Sequence, residues 1–110
     1  PEVDIIAIDE VQFLDKNLPI IVENLIANDK RVIAAGLDMD SNGIPFGPMP
    51  QLLARAEEVL KVVAVCDICG KDATHTHRLK DAREDTVLVG ALNYYEARCR
   101  KHWYDGFMVQ

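Results

Sequence analysis

The sequence predicts an α/β fold followed by a small β-rich, metal-binding appendage. Three observations carry that prediction. Near the start, two strand-length apolar runs flank an amphipathic helical pattern, the order of a βαβ unit. A third apolar run, residues 59–65, leads straight into a Cys-x2-Cys pair. Beyond that pair the candidate strands become short, and a Cys-x2-His pair follows.

Composition narrows the function classes. At 110 residues with 49% apolar content the chain is about one ordinary globular domain. Its net charge of −6 denies it the positive field that generic binding to nucleic acid or anionic membrane rests on. No apolar run reaches the roughly 20 residues of a membrane span. Three cysteines cannot form a closed disulfide set, which fits a reducing, cytoplasmic setting. The chain opens on Pro1-Glu2 and enters a strand almost at once, so we expect it to be the later part of a longer protein.

Each element has a local reason. Residues 3–8 are apolar except for Asp4 and rich in β-branched side chains, suited to a strand covered on both faces. Leu18, Val22, Leu25 and Ile26 then form the stripe of a helix. Asp15 or Asn17 can cap it, and Pro19 falls in the tolerant first turn. Asn28-Asp29 ends it. RVIAAGL, residues 31–37, is the second buried strand. Residues 38–50 carry Gly43, Gly47, Pro45, Pro48 and Pro50 and read as loop. Pro50 can open a helix with Leu52, Leu53 and Ala56 on its apolar face. Residues 59–65 are the third strand. Residues 73–79 and 86–89 are short strands around a charged turn, and 105–110 read as a tail. The division expected is an α/β part over residues 1–65, a metal-binding part over 66–104, and the tail.

Cys66-x2-Cys69 and Cys99-x2-His102 have the spacing of a tetrahedral zinc site. Two such pairs leave no coordination position open for water, so the role is structural. The alternative is buried apolar cysteines beside a surface histidine. His75 and His77 share a strand face, and either is a spare candidate for the place of His102.

The run ending at Asp9-Glu10 is the second chemical signal. At the carboxyl end of a parallel strand, an Asp can hold Mg²⁺ and a neighbouring Glu can take a proton from an attacking hydroxyl. Two solvated acids at a strand end are the plain alternative. The phosphate-cradling partner, G-x-x-x-x-G-K-[ST], does not occur in these residues, so it is expected upstream of Pro1 if the site is of that kind.

Together these stretches resemble the zinc-containing, P-loop thymidine kinase family of bacteria and vertebrates, over nearly the whole chain. The matching pieces, in order, are DEVQF (9–13), AAGLD (34–38), PFGPMPQLL (45–53), AVCDIC (64–69), THTHRL (74–79), VGALNYYEARC (89–99) and CRKH (99–102). The resemblance implies the later strands and helices of a parallel-sheet, RecA-like P-loop kinase core plus a β-rich zinc-binding lasso. It implies transfer of the ATP γ-phosphoryl to the 5′-hydroxyl of thymidine or deoxyuridine, for pyrimidine salvage. By the same resemblance Glu10 is the catalytic base and Asp9 associates with Mg²⁺. Phe13 packs on the base with Leu37 and Phe46 near it, and Thr76 lies by its methyl group. The backbone of Thr86, Val87, Leu88, Val89 and Gly90 hydrogen-bonds the base, and Tyr95 helps hold the nucleoside. Structural zinc on Cys66, Cys69, Cys99 and His102, Mg²⁺ with ATP, a cytoplasmic homotetramer and thymidine triphosphate as inhibitor are implied too. Read singly, Phe13, Leu37 and Phe46 are ordinary core residues.

Two departures stand out. Ser41-Asn42 occupy the place of the aromatic-plus-basic step that the family has before its Pro-Phe-Gly. His102 stands where many members have a fourth cysteine. Without a P-loop of its own, the chain by itself is expected to be inactive. The competing readings are a non-catalytic zinc-ribbon interaction module and an inactive kinase remnant.

Overall fold

The computed structural model describes residues 3–79 and 94–108. The chain forms two compact units. One comprises Pro1–Asp38 and Pro45–Val59, the other Met39–Ile44 and Leu60–Gln110.

The first unit is built on the expected strand–helix–strand order. Strand β1 (Ile5–Ile8) pairs in parallel with β2 (Arg31–Ala34), Ile5 opposite Arg31 and Ile8 opposite Ala34. The ladder continues past both ends, because Arg31 N–H donates to Asp4 O (2.9 Å) and Ala35 N–H to Ile8 O (2.9 Å). Helix α1 (Leu18–Ala27) is the crossover. Its capping position is Asn17, whose side chain makes no capping bond. Asp15 braces the turn instead, accepting from Asn17 N–H at 2.7 Å through its carboxylate and from Leu18 N–H at 2.9 Å through its carbonyl. At the far end Asp29 takes a left-handed φ of 63°, and Asn28 Nδ2 donates to Asn24 O at 2.7 Å. Both devices satisfy carbonyls that the last turn leaves open.

Val11, Leu18, Val22 and Met49 form the core of this unit, with Ile8, Val32, Leu52 and Leu53 packed against it. Each fully buried side chain of this size contributes roughly 1.5–3 kcal/mol. The α1 stripe is narrower than its spacing suggests: Leu18 and Val22 are buried, Leu25 is half-buried and Ile26 is exposed. Helix α2 (Met49–Arg55) has Pro50 in its first turn and turns Leu52 and Leu53 inward. Ala56 terminates it and is exposed, not part of its apolar face.

Two strand expectations are corrected here. β1 alternates exposed and half-buried residues, so it is not covered on both faces among the described residues. Residues 59–63 form no strand, and Leu60 and Val62 are 86% and 85% exposed. A buried parallel strand exists only where a neighbour offers it hydrogen bonds, and among the described residues β1 and β2 pair only with each other.

Among the described residues, the second unit holds two short antiparallel strand pairs and one helix. β3 (Ala64–Val65) pairs with β4 (Asp72–Ala73), and β5 (His75–Arg78) with β6 (Tyr95–Arg98). Helix α3 (Arg100–Met108) follows. It absorbs residues 105–108, which the sequence reading assigns to a tail. Gly106 explains why the tail reading fails: a Cβ there would lie 2.7 Å from Arg98 Nη1 and 2.8 Å from the His77 ring. This glycine is where α3 presses on the β5–β6 hairpin. Trp103 is buried on the same side of the helix, 4.8 Å from the His75 ring centroid. Its Nε1–H is shared between Ser41 O (3.1 Å) and Thr76 O (3.0 Å). No described helix is long and apolar enough to cross a membrane.

Candidate functional site

The metal-ligating side chains come from two turns. The β3–β4 hairpin carries Cys66 and Cys69. Gly70 N–H donates to Cys66 O (2.9 Å) and Cys66 N–H to Lys71 O (2.7 Å), closing the turn tightly. Gly70 supplies the required positive φ of 76°. The second turn runs from the end of β6 into α3, with Cys99 before the helix and His102 in its first turn. Asp67 joins the two: its N–H donates to Ala97 O (2.9 Å), and its carboxylate accepts from Ala97 N–H (3.1 Å).

The four ligand atoms lie within 4.8 Å of one another. Cys69 Sγ is 3.9 Å from Cys99 Sγ, and His102 Nδ1 is 3.7 Å from Cys66 Sγ and 3.3 Å from Cys99 Sγ. A zinc tetrahedron with Zn–S bonds of about 2.3 Å has edges of about 3.6–3.8 Å. The observed separations fit that size, and 3.9 Å is far beyond a disulfide bond of about 2.05 Å. The donor set fits zinc and could hold it with no vacant position.

Burial pushes the Cys66 thiol up, but N–H groups of Cys99, Cys69 and Ile68 and the His102 ring outweigh it. They bring the thiol from 9.0 down to about 6. The Lys71 N–H favours the Cys69 thiolate, yet burial and the Cys66 and Cys99 sulfurs push that thiol up overall. The spare candidates are not in the cluster. His75 is engaged with the Thr74 hydroxyl (2.8 Å) and Trp103, and His77 lies against Gly106 and Arg98.

In the first unit, Asp9 and Glu10 follow β1 at its carboxyl end and are exposed. Asp9 Oδ1 accepts the Glu10 N–H (2.8 Å). Glu10 adopts φ 54°, ψ 40°, a left-handed conformation that an L-residue enters at a cost of about 1–3 kcal/mol. A 3₁₀ turn (Val11–Phe13) follows and drives Val11 into the core at 0% exposure. Phe13, 38% exposed, meets Phe46 edge to face, with centroids 5.4 Å apart. Leu37, in the loop after β2, is also exposed. Asp9, Glu10, Phe13, Leu37 and Phe46 therefore all belong to one compact unit.

Thr76 and Tyr95 belong to the other unit. The register sets Thr76 opposite Ala97 and Arg78 opposite Tyr95, so both side chains lie on one face of the β5–β6 hairpin. His75, His77, Glu96 and Arg98 occupy the opposite face, where α3 packs. Thr86, Val87, Leu88, Val89 and Gly90 lie outside the described residues.

Sequence reasoning missed two residues. Gln12 is buried at 3% exposure and bonds both Glu10 and Leu37. Trp103 organises the second unit. A polar residue inside an apolar turn and the chain's single Trp one place after a ligand were the available signals.

The thymidine kinase family model matches residues 1–103. That span takes in the strand with its carboxylates, the aromatic wall and all four metal ligands. The Cys3His cluster fits the zinc-binding lasso of such kinases, a phosphotransferase family acting on nucleoside and ATP. This chain belongs to the thymidine kinase family.

Proposed function

We propose that these residues carry the nucleoside side of an ATP-dependent thymidine kinase. The observation that carries the reading is the placement of Glu10 at the carboxyl end of a parallel strand, in one unit with the edge-to-face pair of exposed Phe13 and half-buried Phe46. Ligands of open α/β sheets bind at that end. Glu10 takes the proton of the thymidine or deoxyuridine 5′-hydroxyl. The hydroxyl oxygen bonds to the γ-phosphorus, the bond to the β-γ bridging oxygen breaks, and ADP leaves. Asp9 would hold Mg²⁺, which would supply positive charge for the transferring phosphoryl group. Phe13, Phe46 and Leu37 form the apolar wall against the flat pyrimidine.

For the second unit the family resemblance offers Thr76 and Tyr95 as nucleoside-contact candidates, with the backbone of residues 86–90, which lie outside the described residues. Zinc pins the roots of that lasso. The working division is a kinase-core part to residue 65 and a lasso from 66. We further infer a cytoplasmic homotetramer with thymidine triphosphate as a feedback ligand. The G-x-x-x-x-G-K-[ST] cradle is not among these 110 residues, so the grip on the ATP phosphates is not assigned to them.

The test is Glu10→Gln in the purified kinase. Removing a positioned base costs about 10²–10⁴ in kcat, while calorimetry shows thymidine binding retained. Unchanged turnover removes Glu10 from the role. Absence of thymidine binding in the unaltered protein favours a zinc-ribbon interaction module or an inactive remnant.

A further inference from the structure

Among the described residues, Gln12 is the one buried polar side chain of the first unit, and it joins two parts of the site. Its Nε2 donates to Glu10 Oε2 at 2.6 Å, and its Oε1 accepts the Leu37 N–H at 3.1 Å. The two partners fix the amide orientation independently. A backbone N–H needs the oxygen and a carboxylate needs the N–H₂ end, so only one orientation satisfies both.

The surroundings are built to the shape of this residue. A Cβ on Gly36 would lie 2.6 Å from Gln12 Oε1, and a Cβ on Gly47 would lie 2.3 Å from the Gln12 carbonyl. Gly47 also holds φ +54°. Val11 N–H donates to Ala35 O (3.1 Å), stitching the same two segments through the backbone. Both glycines therefore leave room for Gln12 where any other residue would displace it. Glu10, by contrast, is exposed and left-handed, and without a partner its carboxylate would sample many rotamers.

We propose that Gln12 is a positioning residue for phosphoryl transfer. It holds the Glu10 carboxylate in one orientation and ties it to the Leu37 backbone, so that the base and one edge of the apolar wall form a single rigid piece. The proposal rests on the assignment of Glu10 as the base. A base displaced by about 1 Å loses on the order of 10²-fold in rate, so the effect appears in kcat and not in nucleoside affinity.

A double-mutant cycle in the purified kinase tests it. Gln12→Met is expected to lower kcat about 10–100-fold, with the thymidine Kd within about threefold of wild type. In a Glu10→Gln background the same change is expected to lower kcat by less than about twofold, because Gln12 acts only through Glu10. Equal losses in both backgrounds overturn the proposal, as does wild-type kcat in Gln12→Met. Should Gln12→Met fail to fold, Gln12→Glu keeps the length and the acceptor for Leu37 but replaces the donor with a second carboxylate. It is expected to lose kcat equally, and wild-type kcat in that variant overturns the proposal. The two readings fail separately. If Glu10→Gln alone leaves turnover intact, the base assignment falls. If Glu10→Gln is inactive while the Gln12 variants are not, only the positioning role falls.

Discussion

Replacing Cys66 by Ser isolates what the metal centre does for the second unit. Cys66 is 2% exposed and is the most deeply buried of the four ligands. Altering an outer partner of a metal site costs about 10–100-fold in affinity, and removing a ligand costs more. The expected loss in zinc affinity exceeds 100-fold, or about 2.8 kcal/mol at 1.4 kcal/mol per tenfold. The unit has little to fall back on. Among the described residues its buried apolar side chains are Cys66, Ala73 and Trp103, and a large buried side chain contributes only roughly 1.5–3 kcal/mol. Structural zinc contributes about 10–16 kcal/mol in small modules. Zinc held there would outweigh any one of those side chains, and the variant is expected to lose the packing with the zinc. The chain's single Trp reports it directly. Trp103 is one residue beyond His102, 7% exposed, and its backbone N–H donates to Cys99 O at 2.9 Å. Its fluorescence is expected to shift to the red in Cys66→Ser and in wild type stripped by a chelator. A zinc-free variant that keeps the emission of a buried indole refutes the reasoning, because the unit then packs without its metal.

The remaining predictions concern single residues. Gly47→Ala places a Cβ 2.3 Å from the Gln12 carbonyl at φ +54°. It is expected to destabilise the first unit by on the order of 3 kcal/mol in urea unfolding, and a loss below 1 kcal/mol contradicts the close approach. Cys69→Ser is expected to lose zinc and thymidine binding together, and normal thymidine affinity without zinc removes the pinned-lasso idea. Burial lowers the His77 pKa from 6.5, Arg98 lowers it further, and Glu96 opposes them. The unfolded chain then binds a proton that the folded chain resists, so this contribution is intact above pH 6.5 and shrinks as the pH falls through the lowered folded value. Thermal melts of zinc-loaded protein should show a shallower acid loss in His77→Gln than in wild type. Parallel curves remove His77 from the acid response.

Much of this was legible in the chain because the signals are local. The βαβ order follows from two β-branched runs around a 3.6-residue stripe, and the metal centre from two short spacings that each fit a single turn. The misreadings have a common physical cause. Residues 59–63 have strand composition, but a strand also needs a neighbour, which composition does not supply. Residues 105–108 read as a tail, yet they continue α3, and Gly106 sits against Arg98 and His77 of the hairpin, a tertiary fact. Gln12 was overlooked because a buried amide is recognised by its two partners. One of them, Leu37, lies 25 residues away in sequence.

The two units differ in kind, and that difference orders the experiments. The first has an apolar core beneath its carboxylates, with Val11 fully buried directly after Glu10. Its strain at Glu10 is held by that core and by the Gln12 amide, and neither depends on a metal. The second brings four metal-ligating side chains together from two turns and, among the described residues, buries few apolar side chains. Chelation therefore acts on the second unit and leaves the Gln12–Glu10 bridge untouched. Loss of thymidine binding on chelation assigns affinity to the lasso. Loss of turnover in Gln12→Met with zinc in place assigns rate to the strand end. Separate responses to the two perturbations follow from where each unit draws its stability.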